Sequence, residues 1–168
     1  MAETNLHNYS VQEKLNKMDI DVITLTAVCN ANASEVATSI FQADEIANIV
    51  PVKGGTCILQ SVGLLDDDDH GQPIDLVFMD TTGLLDASDD GTVIDAADGV
   101  IPDAILGVVS ITNYFDGVLW QYGHKENIGL VLKAASDTKS IYVSAINRGA
   151  TKTWTASGLR LKLGIVKD

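Results

Sequence analysis

The stretch Asp19-Ile20-Asp21-Val22-Ile23-Thr24-Leu25-Thr26-Ala27-Val28 decides the fold class. It is rich in β-branched residues and its polarity changes with a period of two, the pattern of a strand with one wetter face. Working outward, the same texture returns at 36–41, 56–65, 74–79, 105–111, 128–133, 141–146 and 159–166, with a short further candidate at 118–122. Turn signals punctuate these runs: Lys53-Gly54-Gly55, Asp69-His70-Gly71, Asp89-Asp90-Gly91, Ser136-Asp137-Thr138-Lys139 and Asn147-Arg148-Gly149. Many short strands with almost no long helical pattern predict an all-β domain over 19–168, a two-sheet sandwich or barrel. A jelly roll is among the arrangements that suit eight strands; the order of pairing is not legible in the sequence.

Two segments depart from that texture. In 1–18, Ser10-Val11-Gln12-Glu13 fits a capping box, and Val11, Leu15 and Met18 fall on one stripe of a short helix. So short a helix needs a surface to pack on. The segment reads as an N-terminal arm, either a frayed terminus or a clasp on a neighbouring subunit. The second is 81–103, a polar insertion too long for a hairpin loop, read as a flap at one end of the sandwich with a short helical turn opening at Asp95-Ala96-Ala97-Asp98.

Composition excludes several classes. Of 168 residues 46% are apolar but only 5% aromatic, so aliphatic side chains must supply the core. The net charge of −12 argues against nucleic acid and against anionic membranes as partners, because both are held by clustered Lys and Arg. No apolar run approaches the roughly 18–20 residues that span a bilayer. No basic segment followed by an apolar one opens the sequence, so no secretory leader is expected. The charge is uneven: −5 over 1–50, −11 over 51–104 and +4 over 105–168. Such segments can lie on different faces, an acidic one and a mildly basic one; the preferred reading is a solvated acidic surface that keeps the protein soluble, and the alternative is a module that docks by its less acidic side.

Motifs for chemistry are scarce. Asp86, Ser88 and Asp90, followed by Gly91, place oxygens at alternate positions as a calcium loop requires. The position that should close the shell with a bidentate Glu is Ala97, so a solvated turn is the preferred reading and calcium the alternative. Asp66-Asp67-Asp68-Asp69 reads as a hairpin tip, since adjacent carboxylates point apart. His7, His70 and His124 form no metal pair on a strand, and there is no nucleophile elbow, phosphate loop or paired-Glu arrangement. Cys29 and Cys57 fall in apolar runs and are expected to be small buried hydrophobes. The expectation is a protein that is not an enzyme and needs no cofactor.

The aromatic residues point to contact instead. Trp120 and Tyr122 alternate and would share one side of a strand. Trp154 lies in a polar stretch, where it either caps the core or anchors a partner. Arg148, Lys152 and Arg160 near it in sequence give the residue mix that interfaces favour.

The runs Ile105-Leu106-Gly107-Val108-Val109-Ser110-Ile111, Ile128-Gly129-Leu130-Val131-Leu132-Lys133-Ala134-Ala135-Ser136, Ile141-Tyr142-Val143 and Leu159-Arg160-Leu161-Lys162-Leu163-Gly164-Ile165 resemble small virion proteins of tailed bacteriophages. The likeness, to capsid decoration (cement) proteins, covers about 150 residues as strand texture. It implies an all-β module, made in the host cytoplasm, that binds the major capsid protein on the outer capsid surface and reinforces the shell. It also implies self-association, as a trimer or else a dimer; the contact residues expected from the readings above are Val11, Leu15 and Met18 of the arm and Arg148, Lys152, Trp154 and Arg160. A tail, fibre or baseplate role is the nearest alternative. A carbohydrate-binding sandwich, with calcium at 86–90 and Trp120, Tyr122 or Trp154 as the sugar platform, is the other.

Overall fold

A computed structural model describes residues 19–29, 33–82 and 101–167. Ten strands follow one another: β1 Asp19–Thr26, β2 Ser39–Ile46, β3 Thr56–Asp66, β4 Ile74–Met79, β5 Ile105–Ile111, β6 Tyr114–Asp116, β7 Gln121–Lys125, β8 Leu130–Lys133, β9 Ile141–Asn147 and β10 Leu159–Lys167. They form two sheets. The larger runs β1-β10-β3-β7-β6, with β8 also on β3, and the smaller runs β2-β9-β4-β5.

The strand β10 shows why the sheets face each other. Leu159, Leu161, Leu163 and Ile165 are fully buried, while Arg160 and Lys162 between them point outward. Alternation of that kind gives a strand one core face and one wet face, and each buried aliphatic side chain contributes about 1.5–3 kcal/mol. Strand β9 answers from the smaller sheet with Ile141, Val143 and Ala145, and β4 with Ile74, Leu76 and Phe78. Phe41, Leu59, Leu64, Leu132 and Trp154 complete the core between the layers.

Every named pairing is antiparallel, and their order defines the topology. When β6, β7 and β8 are taken as one interrupted strand position, the chain pairs first with last (β1·β10), then β2·β9, β3·β7/β8 and β4·β5. That is one long antiparallel hairpin. Rolled up, it brings β10 against β3 and β9 against β4, which closes the two sheets of a jelly roll. The sandwich expected from strand spacing is therefore present, and its jelly-roll order comes from contacts far apart in sequence.

Some boundaries differ from those the sequence suggested. Strand β2 starts at Ser39 rather than at 36, because Ala37 takes a positive φ of 68° in a turn whose Thr38 hydroxyl donates to the Glu35 carbonyl. It then continues through Gln42 to Glu45, where register shifts and Ala43 at φ 52° break the alternation. The candidate at 118–122 is instead a hairpin, β6–β7, whose turn occupies 117–120. On β3 the register slips between Leu59 and Ser61, leaving Gln60 as an extra residue; beyond it the strand changes partner from β8 to β7. The insertion between β4 and β5 is closed at its base by the Asp80 amide donating to the Ala104 carbonyl, just after a helical turn at Ile101–Ala104. The helical turn expected at 95–98 lies outside the described residues, as does the arm 1–18.

Candidate functional site

Reactive chemistry finds little support among the described residues. No three His, Cys, Asp or Glu side chains there are grouped to hold a metal ion. Burial pushes the Cys29 thiol up to about 12 and Cys57 up to about 11, so both stay protonated near neutral pH. The residues Asp86, Ser88 and Asp90 lie outside the described residues.

The four-aspartate run is a connector. Asp66, fully buried at the end of β3, accepts hydrogen bonds from the amides of Asp68, His70 and Gly71 at 3.1, 3.1 and 2.9 Å. Burial raises its pKa, and these donors oppose that rise. Its neighbours each take a different partner. Asp67 pairs with Arg160 at 2.7 Å, Asp68 accepts from the Thr155 amide and hydroxyl, and Asp69 accepts from Gln121. Four side chains fanning out from one turn tie β3, β7 and the segment before β10 together, the opposite of a cage that converges on one ion.

Trp154 takes the core-capping place. It is fully buried beneath that turn, with the His70 ring edge-on at 5.2 Å, and offers no surface to a partner. The other basic residues grouped with it by sequence are not brought together. Arg148 pairs with Asp75, which projects from the outer side of the smaller sheet, while Arg160 projects from the outer side of the larger one. Lys152 lies between, its backbone bridged to Ser34. The expected contact residues Val11, Leu15 and Met18 lie outside the described residues.

A surface the sequence did not single out is the outer face of the larger sheet. Alternation puts Val22, Thr24 and Thr26 of β1 on it, with Arg160, Lys162 and Val166 of β10. Beyond them come Ile58, Ser61, Gly63 and Leu65 of β3, then Tyr122 and His124 of β7, Val131 and Lys133 of β8 and Phe115 of β6. None of these outward strand positions is itself an acid, in a chain whose net charge is −12; the carboxylates near the face are Glu126, which lines its central depression, and Asp67, which pairs with Arg160 at 2.7 Å. Val22 and Val131 are 65% and 58% exposed, and Lys162 makes no ion pair with the described residues. At the centre is a shallow depression of about 410 Å³ over Gly63 and Gly164. Gly63 is needed there: a Cβ would collide with the Tyr122 hydroxyl, so its absence lets that ring lie across the strand and stack on His124 at 6.2 Å.

Together these features define an all-β jelly-roll module with a partly apolar, acid-poor sheet face and no reactive cluster among its described residues. No family model and no curated protein matches the chain. Among solved structures it is similar to a chain from a crystal structure of tomato aspermy virus, at 10% identity over 89% of this chain and 76% of that one, with a TM-score of 0.43. It is also similar to a chain from desmodium yellow mottle tymovirus, at 11% identity over 90% and 81%, with a TM-score of 0.31. Likenesses this distant carry no function across.

Proposed function

We propose that this protein is a structural component of a bacteriophage virion that coats the outer capsid surface, binding the major capsid protein in many copies. The observation that carries the reading is the acid-poor, partly apolar outer face of the larger sheet on an otherwise strongly acidic molecule, with Lys162 on it and only Glu126 and Asp67 beside it. Charge placed this way orients the molecule as it approaches a surface: the basic and apolar side docks and the acidic remainder stays in water. A repeating lattice multiplies modest single contacts, so area and repetition stand in for a reactive centre. The sequence resemblance to decoration proteins points to the same role.

The test is co-sedimentation of the full chain with undecorated capsids of its particle, comparing wild type with Lys162→Glu and Val131→Glu. Both side chains are exposed on the face, so the variants are expected to fold normally and to lose occupancy several-fold, more steeply at low salt for Lys162→Glu. Wild-type occupancy of both variants would reject this face as the docking surface.

A further inference from the structure

The β6–β7 hairpin ends in Asp116-Gly117-Val118-Leu119-Trp120, and its side chains are unusually apolar for a protruding turn. Phe115, Val118, Leu119 and Trp120 are 66%, 80%, 78% and 39% exposed. The turn is closed by the Gly117 amide donating to the Trp120 carbonyl, and by the Val118 amide donating to Asp116. Val118 holds a φ of 76° at the first of the two central positions, where this class of hairpin turn favours glycine. A β-branched residue there carries strain, and strain retained at an exposed apolar position points to a use for the side chain. Phe115 and Trp120 brace the tip from behind, ring centroids 5.8 Å apart.

The other end of the same sheet offers a counterpart. A depression of about 600 Å³ is lined by Leu106, Ala134 and Ala135, with Lys53, Lys133 and Asp80 at its sides. Its volume falls in the roughly 300–1,000 Å³ range of sites that hold small ligands or side chains. The two features sit at opposite ends of β3. Gln121, just after the tip, pairs with Asp66, whereas Lys133 pairs with Thr56. Ten residue steps at about 3.3 Å place them ~33 Å apart, so one molecule cannot bring its tip to its own depression.

We infer that the hairpin tip of one copy inserts into the end depression of a second copy of this chain, joining copies head to tail. Val118 and Leu119 meet Leu106, Ala134 and Ala135, while Asp116 beside the tip faces the two lysines, which outnumber Asp80. The acidic flank also makes an anionic lipid surface the poorer match. A head-to-tail contact uses two different patches on each copy, so it closes into a ring when the rotation allows, and a trimer is one such ring. It leaves the centre of the outer face of the larger sheet, around Lys162, free for docking, with Lys133 and Phe115 at the two margins where the contacts adjoin it.

The experiment is sedimentation equilibrium of the full chain with Leu119→Glu, which disables the tip, and with the double variant Lys53→Glu, Lys133→Glu, which disables the depression. Wild type should associate with rising concentration, and each variant alone should stay at the single-chain mass of 17.9 kDa. An equimolar mixture of the two should give two-chain species and nothing larger, because only one working contact remains. Leu119→Ser, which adds no charge, should lose association as well, and circular dichroism should show each variant folded. Wild type at single-chain mass throughout, Leu119→Glu associating like wild type, or a mixture that stays monomeric would each overturn the inference. Capsid occupancy is read separately, so failure here leaves the docking face to its own test.

Discussion

Replacing Asp66 by alanine should be far more damaging than replacing its neighbour Asp67, although both stand in one run of four aspartates. The Asp66 carboxylate is fully buried and accepts three backbone amides, fixing the turn by which the chain leaves the larger sheet for the smaller. Hydrogen bonds to a charged group contribute about 1.5–3 kcal/mol each, and a buried donor left unpaired costs about 1–3 kcal/mol. Against this, the exposed Asp67 and Asp69 give water access to the turn beside the carboxylate, and removing the carboxylate also removes the cost of burying it. A net loss of about 3 kcal/mol follows, which for a domain this size lowers the melting temperature by roughly 6–12 °C. Asp67 pairs with Arg160 between side chains that are both more than 40% exposed, and such pairs contribute about 0–1 kcal/mol. Urea unfolding of the two variants checks the contrast. Equal losses, or an Asp66→Ala variant within 0.5 kcal/mol of wild type, would refute the view that this carboxylate organises the turn.

Three further outcomes follow from the same structure. Trp154→Ala should cost about 3–5 kcal/mol by urea unfolding, as large-to-small changes in a packed core do; a loss below about 1 kcal/mol would contradict its place there. Cys29 and Cys57 should resist a thiol reagent at pH 8 until the chain unfolds, and prompt labelling of the native protein would contradict their burial. Asp44, whose pKa is raised chiefly by burial, binds its proton more tightly in the folded state, so its contribution to stability falls as pH rises from 3.8 through the higher folded value. The stability of Asp44→Asn relative to wild type should therefore rise between pH 3 and pH 7, and a flat or falling difference would contradict the shift.

The fold was legible wherever alternation survived. Strands β1, β3, β5 and β10 appear in the sequence close to their observed bounds because one face of each is more buried and the period of two records it, whereas β4 and β9, buried on both faces, show as continuous apolar or β-branched runs. Strand β2 is only partly legible, since its register shifts, and Ala43 at positive φ, remove the period just where Gln42 to Glu45 continue the strand. The β6–β7 hairpin was hidden for the opposite reason. Val118 and Leu119 have the composition of a strand but stand at a turn, held there by two local hydrogen bonds that composition does not record. Of the contact residues expected, Trp154 was misleading as a partner anchor because a polar neighbourhood in sequence folds over it as a lid. The outer face of the larger sheet combines positions from six strands, so no single stretch could display it. Its one local signal was the set of bases at alternate positions in Arg160-Leu161-Lys162.

The most direct test of the central claim is cryo-electron microscopy of particles assembled with this protein, at a resolution that traces strands. The account predicts density for the jelly roll at repeated positions on the outer capsid, with the larger sheet turned towards the major capsid protein and Lys162 at the contact. Density confined to the tail or baseplate, or a capsid contact made by the smaller sheet with the larger one facing solvent, would contradict it.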